Sequence, residues 1–61
     1  MIQYRVTFDL YEMEGSARKY NSNTVGLETY VNATSPSQAQ AMVEVQYGGR
    51  DRVLVRSTVP Q

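Results

Sequence analysis

Sixty-one residues allow a single domain with a thin stability margin, because a chain this short buries only about 60% of the surface it exposes when unfolded. It contains no cysteine and no histidine, which excludes disulfides and thiolate metal sites and removes the usual general base at neutral pH. Six basic side chains balance six acidic ones, and that balance argues against a sequence-blind nucleic-acid binder.

The first element is the clearest. Ile2, Tyr4, Val6, Phe8 and Leu10 alternate with Gln3, Arg5, Thr7 and Asp9, which predicts a strand buried on one side only. Tyr11 and Met13 continue the odd-numbered set, so the outer face becomes apolar toward the strand's end. The opening residues Met1 to Arg5 lack the pattern of a signal peptide, and no apolar stretch is long enough to span a membrane. The expectation is an intracellular, cytoplasmic protein that does not associate with membranes.

Glu14 to Asn23 is rich in turn formers and has no period, which reads as a long, mobile hairpin connection. A second strand is predicted over Thr24 to Ala33. It places Val25, Leu27, Thr29, Val31 and Ala33 on one face and Gly26, Glu28, Tyr30 and Asn32 on the other, with a bulge suggested at Gly26.

Thr34-Ser35-Pro36-Ser37-Gln38 is a helix start. Ser35 suits the N-cap, Pro36 the first helical position, and Gln38 a return bond to the cap backbone. The helix should run to Tyr47 and stop at Gly48-Gly49. Ala39, Met42, Val43 and Tyr47 form its inward stripe, while Ala41 and Val45 lie outside it and hint at a further contact. The last strand, Arg52 to Val59, sets Val53, Val55, Ser57 and Val59 against Arg52, Leu54, Arg56 and Thr58.

Strands at about 2–13, 24–33 and 52–59 with a helix at about 36–47 define one α+β domain of β-β-α-β order over residues 1–61. A hairpin followed by a right-handed crossover gives a three-stranded mixed sheet of order 2-1-3, with the helix packed on one face. Fifteen residues are expected in the core: Ile2, Tyr4, Val6, Phe8, Leu10, Val25, Leu27, Val31, Ala33, Ala39, Met42, Val43, Val53, Val55 and Val59.

With no second helix, the other sheet face stays open. Arg5, Tyr11, Tyr30, Arg52, Leu54 and Arg56 form the candidate binding surface, because tyrosines and a leucine on an uncovered sheet offer contact area. Met13 extends that apolar set. Arg50, Arg52 and Arg56 with Arg5 suggest a local positive zone of the kind that, with aromatics, binds single-stranded nucleic acid. The plainer alternative is a solvated face whose charges pair across strands, with arginines guarding an edge. Catalysis finds no support: Glu12 and Glu14 flank a loop, Lys19 lies in it, and the serines have no histidine to activate them. No cofactor or metal is expected.

From Tyr30 through Ala33-Thr34-Ser35-Pro36 to Gly48-Gly49-Arg50, the chain resembles small uncharacterised proteins of cyanobacteria and their phages. That resemblance implies a viral protein that binds a host enzyme or a virion component. The strand-helix-strand order is also similar to the ribosomal LX family, without its heavy lysine content. The expected function is a protein-binding module, homodimeric, acting through the open sheet face. An RNA- or DNA-binding domain and a structural subunit of a larger assembly are the alternatives.

Overall fold

The alternation in residues 2–10 does make a strand, and the strand runs beyond it. In the computed structural model, which describes residues 1–61, β1 spans Ile2–Glu14. Its first part is the centre of the sheet. The remainder projects as one arm of a ribbon, so the molecule measures 38 × 18 × 14 Å.

The segment expected to be a mobile loop is mostly structured. A turn at Gly15-Ser16 leads into β2 (Ala17–Tyr20), which pairs antiparallel with Tyr11–Glu14. Gly15 has φ 64°, a positive value that two-residue hairpin turns require and glycine adopts without strain. β2 leaves no periodic trace in the sequence because all four of its residues are exposed, and alternation appears only where one face is buried. A short 3-10 turn, Ser22–Thr24, comes next. The Thr24 hydroxyl anchors it by donating to the Leu10 carbonyl at 3.1 Å.

The second long strand, β3 (Leu27–Ala33), begins three residues later than expected. Its register with β1 is unbroken from Ile2↔Ala33 to Phe8↔Leu27, so Gly26 marks no bulge. Gly26 instead has φ 66° just before the strand and donates its N–H to the Asp9 carboxylate at 2.8 Å.

The helix α1 (Pro36–Gln46) starts as the sequence indicates, with Ser35 Oγ accepting from the Gln38 N–H at 3.1 Å. The return bond differs by one residue. Gln38 Oε1 accepts from the Thr34 N–H at 2.6 Å and from the Thr34 hydroxyl at 2.9 Å, not from Ser35. At the other end the Gly49 N–H reaches back to the Glu44 carbonyl at 2.6 Å, while Gly48 and Gly49 both take positive φ. That bond closes a glycine C-cap and turns the chain toward the last strand.

β4 (Val53–Pro60) lies antiparallel to β1 on the edge opposite β3 and therefore parallel to β3. The first strand is central, as expected. β4 carries the kind of irregularity expected at Gly26. Phe8 pairs with Val55 but Thr7 pairs with Ser57, which leaves Arg56 as the extra residue of a bulge. The extra residue flips the parity of the rest of the strand. Ser57 and Val59 join the open face, opposite Thr7 and Arg5, and Thr58 turns to the helix face. There Thr58 accepts a hydrogen bond from Gln40 of α1 at 3.1 Å.

The core lies between sheet and helix and comprises Tyr4, Val6, Phe8, Ala33, Ala39, Val43 and Val53, flanked by Leu10, Leu27, Val31, Tyr47 and Val55. The Tyr47 ring packs on Phe8 with centroids 4.7 Å apart. Four expected core residues lie outside: Ile2, Val25, Met42 and Val59 are all exposed. Ile2 sits at the end of β1 beyond the reach of β4, whose pairing begins at Tyr4↔Pro60. Val25 precedes β3, Met42 sits on the outer side of α1, and the bulge turns Val59 outward.

Candidate interaction face

Cross-strand register arranges the open face in rows. Asn32 stands beside Gln3; Tyr30, Arg5 and Val59 form the next row; Glu28, Thr7 and Ser57 make the third; Asp9 and Leu54 make the last. The Tyr30 row is the most apolar, with Tyr30 54% and Val59 38% exposed on either side of Arg5. Arg5 is half-buried, makes no salt bridge, and its Nε is shielded from water without a hydrogen-bond partner.

Asp9 is the opposite case. It is buried to 3% exposure on a face expected to be solvated, and both its oxygens are used. Oδ1 accepts from the Gly26 N–H at 2.8 Å and Oδ2 from Arg56 Nε at 2.9 Å. A carboxylate removed from water needs such charge-assisted partners. Arg56 is therefore engaged within the molecule, and the bulge that frees it from the ladder lets it reach across.

Two further candidates leave the expected surface. Tyr11 is buried at 8% exposure. The Tyr20 ring stands 5.7 Å from its own, the Arg18 guanidinium sits 5.1 Å from its centroid, and its hydroxyl donates to the Arg50 carbonyl at 3.2 Å. Tyr11 thus ties the ribbon to the turn before β4 and presents no ring for contact. Arg52 lies in that turn, with its aliphatic stem so close to Gly48 that a Cβ there would meet Arg52 Cδ at 3.0 Å. It stands at the end of the helix, away from Arg5 and Arg56. Leu54 does lie on the open face, partly buried opposite Asp9, whereas Met13 is exposed on the ribbon.

The residue missed is Val59. One signal pointed to it: Ser57 occupies an inward position in a strict alternation, and a polar side chain at such a position marks a possible change of parity.

Away from the face, a cleft of about 420 Å³ opens at the root of the ribbon, lined by Leu10, Tyr11, Glu12, Lys19, Tyr20, Asn21, Thr24, Tyr47 and Arg52. Glu14 pairs with Lys19 at 3.6 Å at the ribbon tip, with both side chains over 70% exposed, so the pair contributes little stability. Ala41 and Val45 do lie on an outer apolar patch of α1, where Met42 joins them. No group of three or more acidic side chains is placed to hold a metal ion. No helix is long and apolar enough to cross a membrane.

No family model, curated protein or solved structure matches the chain.

Proposed function

We propose that this α+β domain is a non-catalytic protein-binding module, intracellular, whose open sheet face docks on another protein or a second copy. The row Tyr30–Arg5–Val59 carries this reading. An arginine with an unpartnered, water-shielded nitrogen between two exposed apolar side chains costs free energy in the lone protein. A partner offering a carboxylate or carbonyl to the outer nitrogens of that guanidinium, which are not shielded, and apolar surface to its neighbours, would offset that cost. Tyrosine and arginine are also the residue types that most often dominate binding energy at interfaces. In the phage setting that the Tyr30–Arg50 resemblance implies, the partner is a host or virion protein.

The nucleic-acid alternative has less in its favour. Arg56 is engaged with Asp9, Arg52 lies at the helix end and Tyr11 is covered, so Arg5 is the one binding-surface arginine left on the face. A structural-subunit role uses the same face and is separated from docking by stoichiometry.

The test is capture of a partner from the source cells by the intact protein and by an Arg5→Gln/Val59→Ser variant. The expected outcome is a partner retained by the former and lost by the latter at unchanged thermal stability. Equal capture by both would remove this face from the account. Oligonucleotide binding that weakens steeply with added salt would favour the alternative.

A further inference from the structure

We infer that the free edge of β3 is a self-association surface, where two copies pair antiparallel about a two-fold axis through Tyr30. This deepens the protein-binding reading by naming a second copy as one partner, and it uses the edge of the sheet where that reading uses the face.

Backbone direction is the first support. The Tyr11 N–H bonds the Arg52 carbonyl at 2.9 Å and the Gln61 N–H bonds the Gln3 carbonyl at 2.8 Å, so odd-numbered residues of β1 direct their polar groups toward β4. The even-numbered ones face β3, where Tyr4, Val6 and Phe8 meet Val31, Thr29 and Leu27. Glu28, Tyr30 and Asn32 therefore point their N–H and C=O groups away from the sheet, and all three residues are exposed.

The other edges are guarded. The outer strand β4 is broken by the Arg56 bulge and ends at Pro60. β2 is four residues long and carries Arg18 and Lys19. β3 has no proline, lysine, arginine or bulge, and of the devices that ordinarily keep an edge from pairing with another chain it carries a single charge, Glu28.

Self-complementarity supplies the register. Antiparallel pairing requires outward-directed residues to meet outward-directed residues. With the axis at Tyr30, that residue meets its own twin and Glu28 meets Asn32 of the second copy, so every outward group of the three residues is engaged. Sliding the strands one way leaves Asn32 without a strand partner and, at the next step, sets Glu28 against its twin. Sliding them the other way leaves Glu28 unpaired. Only the Tyr30 register uses all three and keeps like charges apart. It also makes a continuous six-stranded sheet, in which the two Tyr30–Arg5–Val59 rows run end to end.

Charge substitutions at Asn32 test the register, since residues 28 and 32 are both exposed and the fold should tolerate the change. Dimer dissociation constants would be measured by sedimentation equilibrium for the intact protein, Asn32→Lys, Asn32→Glu and the double variant Glu28→Lys/Asn32→Glu. Each dimer holds two such cross-strand pairs. Asn32→Lys should tighten association and Asn32→Glu weaken it, each about two- to thirty-fold, with the double variant restoring tight binding. A chain that stays monomeric at millimolar concentration overturns the inference. So do Asn32→Lys and Asn32→Glu variants that shift association equally or leave it unchanged. If Arg5→Gln/Val59→Ser still abolishes partner capture in that case, the edge has failed and the face has not.

Discussion

Asp9 is held by three elements at once: its own strand, the Gly26 N–H before β3 and the Arg56 side chain from the β4 bulge. Its removal should reach further than a surface substitution would. Asp9→Ala leaves the Gly26 N–H and the Arg56 guanidinium without their charged acceptor and should cost about 1.5–3 kcal/mol in urea denaturation. Asp9→Asn keeps an acceptor for Gly26 and should cost less. The ring of Tyr11 gives a second test at this scale. Tyr11→Phe loses the 3.2 Å bond to the Arg50 carbonyl and should lower stability by about 0.5–1.5 kcal/mol, whereas Tyr30→Phe should leave it unchanged. Neither role was legible in the alternation. Parity assigns Asp9 and Tyr11 to the outer face correctly, but what covers that face there comes from Gly26, Arg56 and Tyr20, distant in sequence.

The elements themselves were mostly legible, for identifiable reasons. β1 alternates because one side meets the helix and the other does not, and the helix start is spelled out by Ser35-Pro36 with Gln38 behind it. Ser35→Ala should cost about 1 kcal/mol in thermal unfolding. β2 was illegible because no face of it is buried, and the β4 bulge because an extra residue leaves alternating composition intact on either side. The bulge separates two valines that the sequence treats alike. Val53 is 5% exposed and Val59 is 38% exposed. Val53→Ala should therefore cost about 2 kcal/mol, against a change within about 0.5 kcal/mol for Val59→Ser. Equal costs for the two would show that both face the core.

The whole molecule is a small packed body with a thin extension. Seven residues form the buried cluster, all in or between β1, β3, α1 and β4, and none comes from the ribbon beyond Tyr11. The ribbon is held at its root by Tyr11, Tyr20 and Arg18 and by little at its tip. Hydrogen exchange should separate the two regions. Amides of Met13 to Lys19 should exchange through low-energy local opening, while Tyr4 to Phe8 should need global unfolding. Matching protection in the two segments would mean that the ribbon has a second support. Such a division also suits the proposed binding role, in which the packed body would hold the Tyr30–Arg5–Val59 row in place.

The single extra residue at Arg56 gives the last strand the logic of a reading frame. Upstream of it, one set of alternate side chains belongs to the interior; downstream, the same set belongs to the outside world. Drawing Arg56 into the ladder, with no bulge, would act as a frameshift does in a gene, exchanging Val59 and Ser57 with Thr58 between the two faces without altering any of them. The surface chemistry of this strand is thus written in its register as well as in its composition.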